Sequence, residues 1–385
     1  MLSKESLPNE SRRLLNSVPA LIEKTFPIPG RFRNTLPSDI RKLSGLLTNN
    51  RGERALSYLG RPNFLSAYLY WFLPWNLWRL SNLLPALNFN LSEGDVITDL
   101  GCGPLTFTSA LWITRPDLRK IPLEFYCVDR TASALEAGKK FFEAVTSDDD
   151  TWKIHLVRKD INLNQPKAAT ADHKSSLVCA VNFFNELYER VPHNNLEELR
   201  RMAQKSSNFM RTQASEKSSI LVIEPGIPQS GKFIALLRDT FMEAGHCPTS
   251  PCVHTSKCPC MTSSPKEQKN KWCHFAFETA DVPKDLRRLS VSAKLPKERL
   301  ALSYLMTSTT AKTEAQPLVR VISDAFPLPG SRFGRYGCSA QGLVLLAGEK
   351  KRIEKIRAMS IINQNELILS NNIDKKSGAV ILELQ

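Results

Sequence analysis

The sequence lacks any unbroken apolar run of the roughly 20 residues that a membrane-spanning helix requires. Its most apolar stretch, residues 64–87, contains Pro74 and also carries Asn76, Arg79 and Asn82. This pattern predicts two amphipathic helices that meet at Pro74, with their aromatic residues in a core or interface. We therefore expect no membrane partner.

The start of the chain lacks the composition of a targeting segment. Residues 1–15 are charged throughout and contain no apolar core, which argues against a secretory signal peptide. Glu5 and Glu10 argue against a mitochondrial transit peptide, because such peptides are poor in acidic residues. We expect a bacterial cytoplasmic protein, with the mitochondrial matrix as the alternative.

Acidic residues are too few to balance the basic ones. The 385 residues include 38 Asp and Glu against 52 Lys and Arg, which gives a formal net charge of +14. Such a surface suits an anionic partner, and nucleic acid is the first candidate. A basic surface that is merely solvated is the alternative. The hydrophobic fraction of 42% is sufficient for a folded core.

From residue 95 onwards, short apolar runs alternate with stretches of helical periodicity. The predicted strands are Val96–Leu100, Leu123–Asp129, Trp152–Val157, Ser176–Val181 and Ser219–Ile223. The predicted helices are Thr106–Thr114, Ala132–Val145, Leu196–Met210 and Phe233–Ala244. Buried parallel strands separated by helices are typical of a doubly wound α/β fold.

A glycine-containing run, residues 99–104, follows the first predicted strand. Gly101 and Gly103 allow the backbone to turn sharply and to approach a ligand closely. Asp129 ends the second strand, where a carboxylate can accept hydrogen bonds from ribose hydroxyls. Asp99, Gly101, Gly103 and Asp129 are therefore the candidate cofactor-binding residues.

The full dinucleotide fingerprint of three glycines is missing from this run. Thr106 occupies the third glycine position, and Leu105 stands where many methyltransferases have glycine. The pattern favours S-adenosylmethionine (SAM) over NAD. A degenerate Rossmann-like domain that binds no nucleotide is the alternative.

Two familiar methyltransferase motifs are missing after the fourth strand. The sequence there is Asn-Phe-Phe-Asn-Glu-Leu, residues 182–187, and not the Asn/Asp-Pro-Pro-aromatic run of amino-methylating enzymes. It also lacks the Pro-Cys pair with which cytosine-C5 enzymes attack the base. Asn185 and Glu186 remain as weak candidates to orient an acceptor, so no catalytic residue is assigned.

Cysteine is concentrated in one part of the chain, because six of its nine cysteines lie between Cys247 and Cys338. Without a secretory signal, such a cluster indicates metal or redox chemistry and not a disulfide framework. Four thiolates can hold tetrahedral zinc or a [4Fe–4S] cluster. The candidate ligands are Cys252, Cys258, Cys273 and Cys338, with Cys247 and Cys260 as competitors. Unligated reduced cysteines are the alternative.

Several short motifs in a fixed order complete the pattern. With these motifs, residues 36–348 resemble the methyltransferase-like assembly factors of the small ribosomal subunit in mitochondria and bacteria. The motifs are Ala67-Tyr68-Leu69, Phe72-Leu73-Pro74, Asp99 to Pro104, Asn185-Glu186-Leu187, Glu224-Pro225-Gly226, Pro251 to His254, Cys258-Pro259 and Trp272 to Phe275.

The resemblance implies a [4Fe–4S] cluster on Cys252, Cys258, Cys273 and Cys338, with Cys247 and Cys260 as extra cysteines. It also implies SAM as a cofactor and a partner in the small ribosomal subunit and its RNA. We expect a monomer away from the ribosome. Two functions stay open: SAM-dependent methylation of ribosomal RNA, and a non-catalytic RNA-binding assembly factor with a structural iron–sulfur or zinc site.

These inferences predict a Rossmann-like SAM-dependent methyltransferase fold with five regions. The order is a helical N-terminal region (1–92), the methyltransferase-like domain (93–244) and a cysteine-rich module (245–282). The C-terminal strands (283–348) complete the sheet or form a small β subdomain, and a basic and polar tail (349–385) follows.

Overall fold

The computed structural model describes residues 7–48, 58–149, 151–165, 169–170, 173–188, 191–192, 195–261, 272–311 and 317–384. The α-helices are α1 Asn9–Thr25, α2 Gly30–Arg33, α3 Leu36–Thr48, α4 Pro62–Ala67, α5 Leu73–Ser81, α6 Thr106–Thr114, α7 Ala132–Thr146, α8 Leu196–Gln213, α9 Pro228–Glu243, α10 Lys284–Ser292 and α11 Lys350–Lys355. The strands are β1 Val96–Leu100, β2 Leu123–Asp129, β3 Trp152–Arg158, β4 Ser175–Val181, β5 Ala214–Pro225, β6 Cys247–Ser250, β7 Phe275–Glu278, β8 Arg299–Ser308, β9 Leu318–Val321, β10 Phe326–Leu328, β11 Arg332–Ser339, β12 Gly342–Glu349, β13 Ile361–Asn363, β14 Leu367–Ile373 and β15 Val380–Leu384.

The main sheet has the strand order β3-β2-β1-β4-β5-β8-β6, and β7 pairs with one end of β8. Strands β1 to β5 are parallel, whereas β8 runs antiparallel to both β5 and β6. This order, which reverses direction beside β1 and contains one antiparallel strand near its edge, is that of the Rossmann-like methyltransferase fold. The predicted Rossmann-like α/β fold is confirmed.

The helices cover both faces of this sheet because their apolar residues match the buried positions. Every residue of α6 is buried, so this helix is enclosed by the rest of the domain on all sides. Helix α7 comes close to the loop before α6, since a Cβ at Gly138 would lie 2.5 Å from the carbonyl carbon of Pro104. Glycine at this position therefore sets the separation between α7 and the glycine-containing loop.

The N-terminal region packs against the same domain through α1 and α5. The apolar stretch forms α4, a π-helical turn at Tyr68–Phe72 and α5 without a break, and Pro74 lies in the first turn of α5. Pro74 has no N–H to donate, and the π-helical turn before it lets the helix continue past this position, so the stretch is one helix and not two helices that meet at Pro74. No helix among the described residues is long and apolar enough to cross a membrane.

The segment expected to be a loop-rich module, 245–282, contributes two strands to the main sheet. Strand β6 pairs with the far end of β8, and β7 pairs with its beginning. The cysteines between them lie in irregular backbone, and residues 262–271 are outside the described residues. The described parts of the segment thus join the main sheet at both ends of β8.

Residues 317–384 form a second sheet with the order β13-β9-β11-β12-β15-β14. Its core is small and apolar, with Val319, Val344, Leu346 and Leu382 among its buried members. Residues 350–384, expected as a tail, contribute α11 and three strands to this unit. The short strands are stabilised by pairing with residues far away in the chain, which local sequence patterns do not reveal.

Candidate nucleotide pocket and cysteine cavity

A cavity of about 340 Å³ lies at the carboxyl ends of β1, β2 and β4. In an open parallel sheet this edge is where ligands bind. The lining residues include all four candidate cofactor-binding residues, Asp99, Gly101, Gly103 and Asp129. The fold thus brings together residues that the sequence had separated by thirty positions.

The glycine-containing loop turns through alternating left-handed residues. Gly101, Gly103 and Leu105 have φ values of +63°, +52° and +53°. A Cβ at Gly101 would lie 2.2 Å from the ring of Phe183, so only glycine fits at this point of the cavity wall. Leu105 takes the left-handed conformation that glycine adopts more easily, and its buried side chain joins the main core. The leucine therefore keeps the loop conformation.

Asp129 holds the glycine-containing loop at the end of β2 by hydrogen bonds. Its carboxylate accepts a hydrogen bond from the Gly103 N–H at 3.0 Å and another from the Thr131 N–H at 2.8 Å. A carboxylate offers about four acceptor positions, so two are used by the protein. Burial nevertheless raises the pKa of Asp129 above its ordinary value, against the lowering effect of these hydrogen bonds.

Asp99 forms the buried floor of the cavity. Its carboxylate accepts a hydrogen bond from the Thr108 hydroxyl at 3.2 Å and from the Cys179 thiol at 3.6 Å. Burial raises the pKa of Asp99 from 3.8 to about 7. A cation bound beside it would favour the ionised form and lower this pKa.

The N-terminal region supplies the roof of the cavity. Tyr58, Leu59 and Tyr68 line it, and the Tyr58 hydroxyl donates a hydrogen bond to Glu186 at 3.1 Å. The Ser133 hydroxyl donates to the Leu59 carbonyl at 3.2 Å. Sequence reasoning did not place these tyrosines at the cofactor site; Tyr68 had appeared only within a family motif.

The two weak catalytic candidates lie in different positions. Glu186 lines the cavity, and its carboxylate is 3.8 Å from the Arg130 guanidinium. Asn185 lies behind the cavity wall, where its N–H donates to Glu224 at 3.1 Å. With its amide oriented to suit its neighbours, Asn185 also donates to the Asn182 carbonyl at 2.7 Å. Asn185 therefore supports the cavity wall from behind and does not line the cavity.

Behind this wall is a buried polar cluster that sequence reasoning did not identify. Arg79 donates to the Asn182 side chain at 2.8 Å, and Glu224 accepts from the Phe184 N–H at 2.9 Å. Burial lowers the pKa of Arg79 to about 10 and raises that of Glu224 to about 8. The cluster holds the turn after β4, where Asn182 has a φ of +54°.

A second, much smaller cavity of about 30 Å³ lies between α9 and the end of β6. Cys252, Cys258, Cys273 and Cys338 all line it. These four residues come from separate segments, and Cys338 belongs to β11 of the second sheet. Of the two competing candidate ligands, Cys260 lines the cavity and Cys247 does not. Cys247 belongs to β6, where it pairs with Ser308 of β8.

The cysteine cavity has cationic neighbours. Arg238 is buried and donates to the carbonyls of His254 and Ser256 at 3.0 and 2.7 Å. Arg320 donates to the Pro251 carbonyl at 2.8 Å. The hydrogen bonds from these two guanidinium groups hold residues 251–256 beside the cavity. Their positive charge would offset the negative charge of thiolates there.

The thiols of the cavity differ in acidity. A hydrogen bond with Cys260 lowers the pKa of Cys258 to about 7, while burial raises the pKa of Cys252 to about 11. Burial also raises the pKa of Cys273 and Cys338 well above the ordinary value. A ligand that stabilises thiolates would have to overcome this cost of burial.

The donor chemistry of the cysteine cavity fits zinc or an iron–sulfur cluster, since both take four thiolates. His254 supports such a fit, because its Nδ1 is buried without a partner and its Nε2 lies 3.1 Å from the Cys338 sulfur. Within the described ranges, however, no three such side chains form a ready metal-binding group. Binding would therefore require the thiols to turn towards a common centre.

Comparison with solved structures identifies methyltransferases. A putative methyltransferase from Thermoplasma acidophilum shares 12% identity, with 58% of this chain and 71% of that chain covered and a TM-score of 0.32. Magnesium protoporphyrin IX methyltransferase from Synechocystis shares 10% identity, with coverage of 70% and 100% and a TM-score of 0.35. A SAM-dependent methyltransferase from Thiobacillus denitrificans shares 11%, with coverage of 60% and 90% and a TM-score of 0.33.

Comparison with curated proteins finds no match. A family model does match, over residues 99–327, which is more than half of the chain. The match begins at Asp99 in the floor of the nucleotide pocket and ends at Pro327, so it includes Cys252, Cys258 and Cys273. The chain belongs to the family described as mitochondrial small ribosomal subunit Rsm22.

Proposed function

We propose that this protein binds SAM in the nucleotide pocket and transfers its methyl group to RNA of the small ribosomal subunit during assembly. The observation that carries the proposal is the pocket at the carboxyl ends of β1, β2 and β4. Gly101 makes room for the Phe183 ring in the cavity wall, Asp129 keeps acceptor positions for ribose hydroxyls, and Asp99 offers a carboxylate to a cation.

SAM would supply an activated methyl group, and the protein would align it with the acceptor. Tyr58 and Leu59 line the pocket on the side of the N-terminal region and would shield part of it from water. Positioning and desolvation then provide the rate enhancement, as they do when no acid or base group is required. The acceptor is small-subunit RNA in this proposal, because the family description names the small ribosomal subunit and the chain carries a charge of +14.

A non-catalytic assembly factor is the second candidate function. It is favoured by the positions of the two candidate catalytic side chains, since Glu186 is held by Tyr58 and Arg130 while Asn185 is held by Glu224. In that case the pocket would stabilise the fold, and the protein would hold immature RNA through its basic surface. Arg31, Arg33 and residues 350–352 are exposed and suited to phosphate contacts.

In both cases we propose that Cys252, Cys258, Cys273 and Cys338 hold a [4Fe–4S] cluster, with zinc as the alternative. The cluster would join the main domain to β11 through Cys338. Metal binding would then contribute to the folding of residues 251–260, which have little regular structure. The family description names a mitochondrial protein, which supports the matrix alternative for the location.

The test is transfer of a labelled methyl group from SAM to small-subunit RNA that has been isolated from cells lacking the protein. Gly101→Ala should abolish transfer, because its Cβ would strike Phe183. Gly94→Ala is the matched control, since Gly94 also has a positive φ, +79°, but has no atoms near the added Cβ. No transfer by the wild-type protein, with RNA binding intact, would favour the assembly-factor function.

A further inference from the structure

The C-terminal sheet has a topology that its sequence did not indicate. Strand β9 continues after a kink as β10, since both pair antiparallel with β11 at opposite ends. Strand β11 pairs antiparallel with β12, and α11 follows β12. Strand β15 then pairs parallel with β12 and antiparallel with β14, while β13 pairs antiparallel with β9.

These pairings describe a five-stranded Greek-key barrel. If β9–β10 is counted as the first strand and β13–β14 as the fourth, the first three strands form a meander and a helix separates the third from the fourth. The fifth strand lies parallel to the third, and the fourth returns to the first. This is the arrangement of the OB-fold, whose second and third strands and adjoining loops bind oligonucleotides.

Two aromatic side chains lie together on the first and second strands of the barrel, close to the face that binds oligonucleotides in OB-folds. Tyr336 of β11 and Phe326 of β10 lie with ring centroids 5.0 Å apart. Both are half-buried, and Tyr336 also packs against the core of the main domain, so only part of its side chain is accessible. Aromatic rings on such a face serve as platforms on which unpaired bases stack.

The turn between β14 and β15 lies beside these rings. The Tyr336 hydroxyl donates to Asp374 of this turn at 3.2 Å. The next two residues, Lys375 and Lys376, are both exposed. Residues 317–384 contain ten Lys and Arg against six Asp and Glu. A basic turn beside an aromatic face provides the contacts for the backbone and the bases of a single strand.

We propose that this face of residues 317–384 is a binding site for single-stranded RNA. Phe326 and Tyr336 would stack on bases, and Lys375 and Lys376 would contact phosphates. The match to the family model ends at Pro327, so most of the site lies beyond it. The inference rests on the proposed function for the identity of the natural RNA, but the interaction itself requires neither SAM nor methyl transfer.

The test uses the full-length protein without SAM and a fluorescent single-stranded RNA of about 12 nucleotides, within the site size of OB-folds. Anisotropy is measured at several salt concentrations, with a duplex of the same length as the competitor. We expect Lys375→Ala/Lys376→Ala to weaken binding and to reduce the slope of log affinity against log salt by about 1.4, from two lost phosphate contacts. Lys284→Ala/Lys294→Ala at the two ends of α10, where both lysines are exposed, removes the same charge from a different surface and should have a smaller effect.

The aromatic pair is tested separately by two variants of one residue. Tyr336→Ala should weaken binding about tenfold through lost base stacking, whereas Tyr336→Phe keeps the ring and should bind like wild type. Equal weakening by the two lysine pairs, or tighter binding of the duplex, would overturn the proposal. Because SAM binding is measured independently, loss of methyl transfer with RNA binding retained would count against the proposed function alone.

Discussion

The nucleotide pocket and the cysteine cavity lie in the same domain but are organised by different forces. In the pocket, backbone N–H groups of Gly103 and Thr131 hold Asp129, so the polar groups are fixed by the protein itself. In the cavity, four thiols meet without forming a ready ligand group. From this difference we infer that the pocket is formed before its ligand binds, and we propose that a bound metal or cluster would order the cysteine cavity.

The largest effect is expected for the thiols of the cavity. Cys258→Ser should remove the bound metal or cluster from protein purified without oxygen, because a cluster of this kind requires four thiolates. The thermal midpoint should fall with it, since metal binding contributes folding energy. Iron, zinc and acid-labile sulfide analysis together with calorimetry measures both effects.

Cys247→Ser is the matched control for this change, because Cys247 belongs to the same segment and pairs in β6. It should keep the full metal content and midpoint. If both variants retained metal, or if wild-type protein contained none, the assignment of ligands to this cavity would be refuted.

The next effect is expected in the loop of the pocket. Gly101→Ala should weaken SAM binding by about a hundredfold or more, because the added Cβ would displace Phe183 from the cavity wall. Calorimetric titration measures the affinity, and Gly94→Ala provides the control for left-handed backbone strain, which costs about 1 kcal/mol. Equal affinities for the two variants would show that the loop does not contact SAM.

A pH dependence should follow from Asp99. Its pKa of about 7 means that it is largely protonated at pH 6, and a cationic ligand favours the ionised form. SAM affinity should therefore rise about tenfold between pH 6 and pH 8, relative to Asp99→Asn, in which the carboxyl cannot ionise. A constant ratio of the two affinities across this range would contradict the role of Asp99.

The same pKa has a consequence for folding. The folded-state pKa of Asp99 lies above its ordinary value of 3.8, so the unfolded chain loses this proton first as the pH rises. The contribution of Asp99 to the free energy of unfolding should therefore decrease from about pH 4 to about pH 7. In Asp99→Asn this part of the pH dependence should be lost in urea titrations.

The smallest effect is expected at the roof of the pocket. Tyr58→Phe removes the hydrogen bond from this buried tyrosine to the half-buried Glu186 but keeps the ring over the cavity. SAM affinity should fall only severalfold, since a hydrogen bond of this kind contributes about 1 kcal/mol. A hundredfold loss would show that Glu186 is held in place mainly by Tyr58 and that this position is essential.

Sequence patterns predicted the parallel part of the main sheet well, because strong local signals and the fold agree there. The helix Thr106–Thr114 and the strand Leu123–Asp129 have the predicted bounds. Asp99, Gly101, Gly103 and Asp129 meet in one pocket because the carboxyl ends of neighbouring parallel strands share one edge. The identity of the bound cofactor remains a prediction.

Other parts of the molecule depend on contacts that no local pattern reveals. Tyr58 meets Glu186 across 128 positions of sequence, and Cys338 reaches the other cysteines from a second sheet. The strands of residues 361–384 are short, so their pairing with β9 and β12 decides their conformation. Leu105 shows the reverse case, in which an unfavourable residue type keeps the loop conformation because its side chain is buried.

Hydrogen exchange of protein purified without oxygen, before and after treatment with a chelator, tests the comparison most directly. We predict that residues 251–260 lose protection when the metal or cluster is removed, while residues 99–105 exchange at the same rate, because the backbone N–H groups of Cys102 and Gly103 are hydrogen-bonded to the end of β2. Equal loss of protection in both segments, or no change in residues 251–260 after removal of a measured metal, would contradict the account.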